Sequence, residues 1–85
     1  MGAERILLVD DEQNARSALK SLLTDEGYDV GEAKDGEEAL KLLGDFAPGI
    51  VLADLRMPKM DGLTFLRKGK EQGSDAIFII MTAFA

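Results

Sequence analysis

The chain has 85 residues, 46% of them hydrophobic and 31% charged, which is typical of one small globular domain and not of a disordered segment. It contains neither cysteine nor histidine, which excludes disulfides, thiolate or imidazole metal sites and a serine–histidine–aspartate triad. The net charge of −6 disfavours direct nucleic acid binding by this segment. No apolar run approaches the roughly 20 residues of a membrane span, and the cytoplasm is the location that we expect by default.

The first half of the chain predicts two strand–helix units. Residues 6–9 form a continuous apolar run, typical of a strand covered on both faces. A helix is predicted over 13–26, with Gly27 as its left-handed cap, and 28–33 predicts a weaker edge strand. The apolar stripe expected to place the first helix in the core consists of Ala15, Ala18, Leu19, Leu22 and Leu23.

The second helix begins at a capping box formed by Asp35 and Glu38. Its apolar face is expected to contain Ala39, Leu40 and Leu43, and a turn is predicted over 44–49.

Two further apolar runs, 50–53 and 77–81, predict the third and fourth strands. Between them, 62–72 predicts a helix with Leu63 and Leu66 facing inward, and with a loosely held end because Gly69 costs about 1 kcal/mol relative to alanine. The order β-α-β-α-β-α-β predicts an α/β fold, a parallel sheet with helices on both faces.

Acidic or hydroxyl side chains follow three of the predicted strands. Asp10 and Asp11 follow the first strand, Asp54 follows the third, and Thr82 follows the fourth. Ligands of open parallel sheets bind beyond the carboxyl ends of the strands, so these side chains are expected to converge. Crowded carboxylates either stay partly protonated or are neutralised by a cation, for which Mg²⁺ is the natural candidate.

Simpler roles exist for each residue taken alone. Asp10, Asp11 or Glu12 is suited to capping the first helix, and Asp61 suits a helix N-cap better than a ligand. A lone Asp54 suits the start of a turn. Their coincidence at one end of one sheet favours a functional site.

Three segments in this order and spacing, "ILLVDDE", "IVLADLRMPKMDG" and "IIMTAFA", resemble the receiver domain of two-component response regulators. The sequences of these segments are most similar to those in the receivers of NtrC-like transcriptional activators. The resemblance implies a flavodoxin-like (CheY-like), doubly wound parallel sheet with strand order 2-1-3-4-5.

The resemblance also implies a role for each site residue. Asp54 is the phosphoacceptor, and Asp11 and Asp54 bind Mg²⁺ directly, with the backbone carbonyl of Arg56 as the third protein ligand. Asp10 acts through a metal-bound water, and Thr82 donates a hydrogen bond to a phosphoryl oxygen.

The implied function is that of a signalling module rather than an enzyme. A sensor histidine kinase supplies the phosphoryl group, the domain assists both the formation and the loss of its own acyl phosphate, and an output domain, a transcriptional one by the resemblance, responds. Direct contact with nucleic acid or membrane is not expected of this segment.

Relative to the family pattern, residues 1–85 are expected to form a receiver domain incomplete at its C-terminus, or the ordered portion of a longer protein. The last strand with its phosphate-binding lysine and the last two helices have no counterpart, and Lys59 is not assigned the lysine's role. The fourth strand is then an open apolar edge, which predicts aggregation or a homodimer through that strand.

Two other functions remain open from the residues. One is an interaction module that keeps the fold without phosphorylation. The other is a phosphatase of the haloacid dehalogenase type with an aspartate nucleophile, which is disfavoured because Arg56 stands where that class has a second acid.

Overall fold

The computed structural model describes residues 3–82, in which four strands alternate with three helices. The elements are β1 (Arg5–Val9), α1 (Gln13–Asp25), β2 (Asp29–Ala33), α2 (Gly36–Phe46), β3 (Ile50–Asp54), α3 (Gly62–Glu71) and β4 (Ile77–Met81). The predicted order is confirmed. Within residues 3–82, no helix combines the length and apolar character needed to cross a membrane.

The four strands form one parallel sheet in the order β2-β1-β3-β4. This is the order that the resemblance implies for the first four strands. Val9 of β1 pairs in register with Ala53 of β3, and Asp54 pairs with Met81 of β4. The residues that follow β1, β3 and β4 therefore emerge at the same edge of the sheet.

The main core lies between the sheet and the pair α2 and α3. Alternate strand residues point to this face because side chains alternate along a strand, and the central ones are fully buried. Phe65 of α3 is 0% exposed and stacks edge-on against Phe78, with ring centroids 5.6 Å apart. The buried members of the core are Leu7, Val9, Ala33, Ala39, Leu43, Val51, Ala53, Met57, Phe65 and Ala76.

The predicted helix signals at the ends of α1 and α2 are present. Gly27 follows α1 with a φ of 100°. Asp35 accepts a hydrogen bond from the backbone N–H of Glu38 at 2.9 Å, while the Glu38 carboxylate accepts from the N–H of Lys34 at 2.8 Å. The turn predicted over 44–49 is wrong at its start, because α2 continues to Phe46 and ends at Ala47, which has a φ of 49°.

The inward face of α3 differs from the prediction. Leu63 is 59% exposed and Leu66 is half-buried, so the prediction for Leu63 is wrong. The buried residues of α3 are Gly62, Phe65 and Gly69. A Cβ on Gly69 would lie 2.9 Å from the Phe78 ring, so the glycine allows α3 to pack closely against this side chain. The loosely held end of α3 stays a prediction.

The opposite face of the sheet, where α1 lies, is only partly covered. Its apolar side chains become more exposed toward β4: Ile6 is 4% exposed, its neighbour Ile50 is half-buried, and Ile77 beyond it is 65% exposed. None of the α1 residues is buried, and Leu22 is 62% exposed, which corrects the prediction that this leucine lies in the core. The reason is geometric, since α1 packs over β1 and β2 and leaves β4 open.

Candidate functional site

Three carboxylates meet where β1 and β3 end. Asp10 and Asp11 follow β1, and Asp54 is the last residue of the adjacent β3. One oxygen from each carboxylate lies within 4.8 Å of the others. The expected convergence of these side chains is therefore present, with Asp10 and Asp54 half-buried and Asp11 exposed.

The turn between β1 and α1 distributes the acidic residues among different tasks. Glu12 is the N-cap of α1 and accepts from the backbone N–H of Ala15 at 2.6 Å. The Asp10 carboxylate accepts from the N–H of Glu12 at 2.9 Å, and the N–H of Asp10 donates to the carbonyl of Ala33. Of the residues considered as caps, Glu12 takes that position, so Asp10 and Asp11 remain candidates for the acidic cluster.

The backbone around Asp54 is tied on both sides. The N–H of Arg56 donates to Asp54 Oδ1 at 3.2 Å, which orients the carboxylate through one of its two oxygens. The N–H of Leu55 donates to the carbonyl of Met81 at 2.8 Å, and the N–H of Gly62 donates to the carbonyl of Leu55 at 2.8 Å. The start of α3 and the end of β4 therefore both hold the end of β3 in place.

The remaining predicted site residues lie beside the cluster. Arg56 is exposed, two residues after Asp54, and Thr82 is exposed, directly after the residue of β4 that pairs with Asp54. The metal-binding role of the Arg56 carbonyl and the phosphate-binding role of Thr82 remain predictions. Lys59 is exposed in the loop before α3, with a φ of 72°.

Asp61 is the N-cap of α3, as its sequence position predicts. Its carboxylate accepts from the backbone N–H of Thr64 at 2.8 Å, and this hydrogen bond is the main reason why the pKa of Asp61 is lowered from its ordinary value. Asp61 is not a member of the acidic cluster.

The chemistry of the cluster suits a hard divalent cation. The ion pairs found among residues 3–82 join Arg5 to Asp29, and Arg16 and Lys20 to Glu32, so none of them neutralises the cluster. Two oxygens bound to one Mg²⁺ lie no more than about 4.2 Å apart, twice the Mg–O distance of about 2.1 Å. The carboxylate oxygens of the cluster, which lie within 4.8 Å of one another, meet this limit if they move slightly closer together or if one carboxylate acts through a water.

Arg16 is a residue of this region that sequence reasoning missed. Its guanidinium donates to the backbone carbonyl of Asp10 at 2.6 Å and to the Glu32 carboxylate at 2.8 Å. No local pattern reveals this contact, since Glu32 lies 16 positions further along the chain, on β2.

Comparison with known proteins relates this fold and site to a family of signalling proteins. The family model described as "Response regulator receiver domain" matches residues 6–85. The regulatory protein AtoC of Escherichia coli is 41% identical over 81 residues, and the response regulator MprA of Mycolicibacterium vanbaalenii is 40% identical over 79 residues. These matches cover 95% and 93% of the chain but only 18% and 34% of the two relatives, so the chain spans a minor part of each.

A solved structure has the same arrangement of elements. The response regulator protein TrrA of Thermotoga maritima, crystallised in complex with Mg²⁺-BeF, superposes with a TM-score of 0.88 at 40% identity. The match covers 96% of this chain and 71% of that one. The flavodoxin-like, receiver-type fold predicted from the sequence is therefore confirmed for the elements described above.

Proposed function

Because the chain belongs to the family of response regulator receiver domains, we propose that it accepts a phosphoryl group on Asp54 from a sensor histidine kinase. The observation that carries this proposal is the convergence of Asp10, Asp11 and Asp54 at the carboxyl ends of two adjacent parallel strands. We further propose that the reaction takes place in the cytoplasm, where an acyl phosphate on this domain would report the state of the kinase.

In this proposal the acidic cluster holds Mg²⁺. Asp11 and Asp54 bind the ion directly, the backbone carbonyl of Arg56 provides a third protein ligand, and Asp10 acts through a bound water. The ion supplies neutralisation of the negative charge that develops on the transferring phosphoryl group. The three carboxylates, which lack an ion-pair partner among residues 3–82, supply the charge that retains it.

Asp54 is the nucleophile of the transfer. A carboxylate oxygen of Asp54 forms a bond to phosphorus while the phosphorus–nitrogen bond of the phosphohistidine breaks and its electron pair stays on the imidazole. The hydrogen bond from the Arg56 N–H to Oδ1 orients the carboxylate for this attack. An ionised aspartate needs no general base, which agrees with the absence of histidine from the chain.

Thr82 completes the site by donating a hydrogen bond from its hydroxyl to a phosphoryl oxygen. The domain assists the formation and the loss of its own acyl phosphate and does not turn over a separate substrate. A charge added at Asp54 and read by Thr82 on the neighbouring strand would be passed to an output domain, which we propose to be transcriptional. The relative AtoC is a regulatory protein of which this chain spans only 18%, which supports an output function located outside this segment.

Mass spectrometry with a small phosphodonor tests the proposal. Incubation with acetyl phosphate and Mg²⁺ is expected to add one phosphate-sized mass to the intact chain, and a chelator is expected to prevent the addition. Because the family's fifth strand and lysine have no counterpart in residues 1–85, the same measurement on a version extended through that strand is the decisive one. Absence of an adduct there would overturn the proposal, and steady release of phosphate from an added monoester would favour the hydrolase.

A second proposal concerns self-association: we propose that residues 1–85 form a homodimer through β4. The strand is at the edge of the sheet, and Ile77 and Ile79 on its open face are 65% and 46% exposed. Pairing of two β4 edges would satisfy the free backbone groups and place these isoleucines beside their counterparts in the second copy. An interaction module that is not phosphorylated would use the same edge.

Sedimentation of an Ile79→Lys variant tests the association. We expect the wild-type chain to sediment as a dimer and the variant to associate at least about 10-fold more weakly, because a charge on an edge strand opposes pairing. Leu63→Lys is the matched control, since Leu63 is 59% exposed but lies on α3, and it should leave the dimer intact. A monodisperse wild-type monomer that unfolds cooperatively would contradict the proposal.

A further inference from the structure

Arg16 on α1 connects the turn that carries Asp10 and Asp11 to β2, the edge strand beside β1. Its side chain is only 13% exposed. Nε donates to a carboxylate oxygen of Glu32 on β2 at 2.8 Å, and Nη1 donates to the backbone carbonyl of Asp10 at 2.6 Å. The two hydrogen bonds use different nitrogens of one planar guanidinium group. They therefore fix the position of the Asp10 carbonyl relative to the Glu32 carboxylate.

The carbonyl that Arg16 holds belongs to the peptide unit between Asp10 and Asp11. A peptide unit is planar, so fixing the direction of this carbonyl restricts ψ of Asp10 and φ of Asp11 together. The two carboxylates that face Asp54 start from the two ends of this unit. The contact therefore acts on the direction of both side chains, although Arg16 does not touch either carboxylate in the described hydrogen bonds.

Glu32 keeps the guanidinium in place. Its carboxylate also accepts from Lys20 at 3.1 Å, and the hydrogen bond from Arg16 is the largest reason why the pKa of Glu32 is lowered from its ordinary value. A lowered pKa favours the ionised form of Glu32, which is the form that pairs with Arg16.

We propose that Arg16, held by Glu32, is a positioning residue that orients the Asp10–Asp11 peptide toward Asp54 and so increases the affinity of the acidic cluster for a divalent cation. The inference rests on the proposed Mg²⁺ site. Its alternative is an ion pair that merely attaches α1 to β2. Lys20 separates the two, because it pairs with the same Glu32 carboxylate without a described bond to the Asp10 carbonyl.

Calorimetric titration with Mg²⁺ alone compares the wild-type chain with Arg16→Ala and Lys20→Ala. Substitution of a residue that orients metal ligands commonly lowers the metal affinity by about 10- to 100-fold. We therefore expect Arg16→Ala to raise the Mg²⁺ dissociation constant by about 10-fold. Lys20→Ala is expected to change it by less than about 2-fold, since surface ion pairs contribute little. Equal binding by wild type and Arg16→Ala, or equal losses in both variants, would overturn the inference.

Hydrogen exchange without metal provides a second readout. The N–H of Glu12 donates to the Asp10 carboxylate, so its exchange should accelerate in Arg16→Ala and remain near the wild-type rate in Lys20→Ala. Unchanged exchange in Arg16→Ala would count against an ordering role for Arg16.

Arg16→Lys resolves the case in which Arg16→Ala does not fold. Lysine keeps a cation beside Glu32 but lacks the two separated donors, so this variant should melt near the wild-type temperature and still bind Mg²⁺ several-fold more weakly. Wild-type affinity in folded Arg16→Lys would sink the inference. A wild-type chain that binds no Mg²⁺ would instead refute the proposed metal site itself, which makes the two failures distinguishable.

Discussion

Replacement of Asp54 by asparagine is expected to abolish the phosphate-sized mass gain that we predict for the wild-type chain with acetyl phosphate and Mg²⁺. Asparagine keeps the shape of the side chain and leaves an oxygen to accept from the N–H of Arg56. It removes the negative charge and the carboxylate oxygen that would attack phosphorus in the proposed transfer, and the amide of asparagine cannot replace that nucleophile. Intact-mass spectrometry should therefore show a fall from a stoichiometric adduct to none, with no increase at other sites.

The same substitution should leave the fold intact. Asp54 is one of three converging carboxylates, so removing its charge relieves repulsion and the metal-free variant should melt at or above the wild-type temperature. The stabilisation that added Mg²⁺ provides should shrink, because the stabilisation by a ligand increases with the logarithm of its affinity for the folded state. Thermal melts with and without Mg²⁺ measure both effects.

Asp61→Asn is the matched control for Asp54→Asn. It makes the same change of charge in the loop that follows β3, and asparagine remains a good N-cap for α3. This variant should accept a phosphoryl group as the wild type does. Phosphorylation of Asp54→Asn at the wild-type level, or its loss in a folded Asp61→Asn, would refute the assignment of Asp54.

The sequence predicts the elements of this domain well because local signals and burial agree. Apolar runs mark three of the strands, and Gly27, Asp35 and Asp61 mark helix ends with backbone conformations or hydrogen bonds that the structure contains. The convergence of Asp10, Asp11 and Asp54 follows from strand order alone, since parallel strands place their carboxyl ends at one edge.

What the sequence does not predict depends on contacts between distant residues. Leu22 and Leu63 satisfy a helical apolar pattern, yet both are exposed, because a pattern states which residues are apolar and not which face is covered. Gly69 has a low helix propensity, and the sequence alone does not reveal that a glycine at this position allows α3 to pack closely against Phe78. The link from Arg16 to the Asp10 carbonyl likewise depends on β2 carrying its partner into reach.

Gly62→Ala is expected to destabilise the domain through the backbone of Asp54. Gly62 is buried at the first position of α3, and a Cβ there would lie 2.5 Å from the carbonyl oxygen of Asp54 and 3.0 Å from Leu55 Cα. The atoms it meets are backbone, which cannot rotate away as a side chain does. Relief requires the start of α3 to move off the end of β3, stretching the 2.8 Å bond from the Gly62 N–H to the Leu55 carbonyl.

Overpacking of this kind costs about 1–3 kcal/mol, and each kcal/mol lowers the melting temperature of a small domain by roughly 4–8 °C. Gly44→Ala gives the opposite sign, since Gly44 is exposed in α2 with nothing within 4 Å of the added Cβ, and alanine gains up to about 1 kcal/mol in a helix. Thermal unfolding of both variants measures the contrast. If Gly62→Ala melts with the wild type, the close approach of α3 does not hold Asp54. If it melts lower, the yield of acyl phosphate in the still-folded variant should fall as well, because the displaced backbone carries Asp54, the proposed nucleophile.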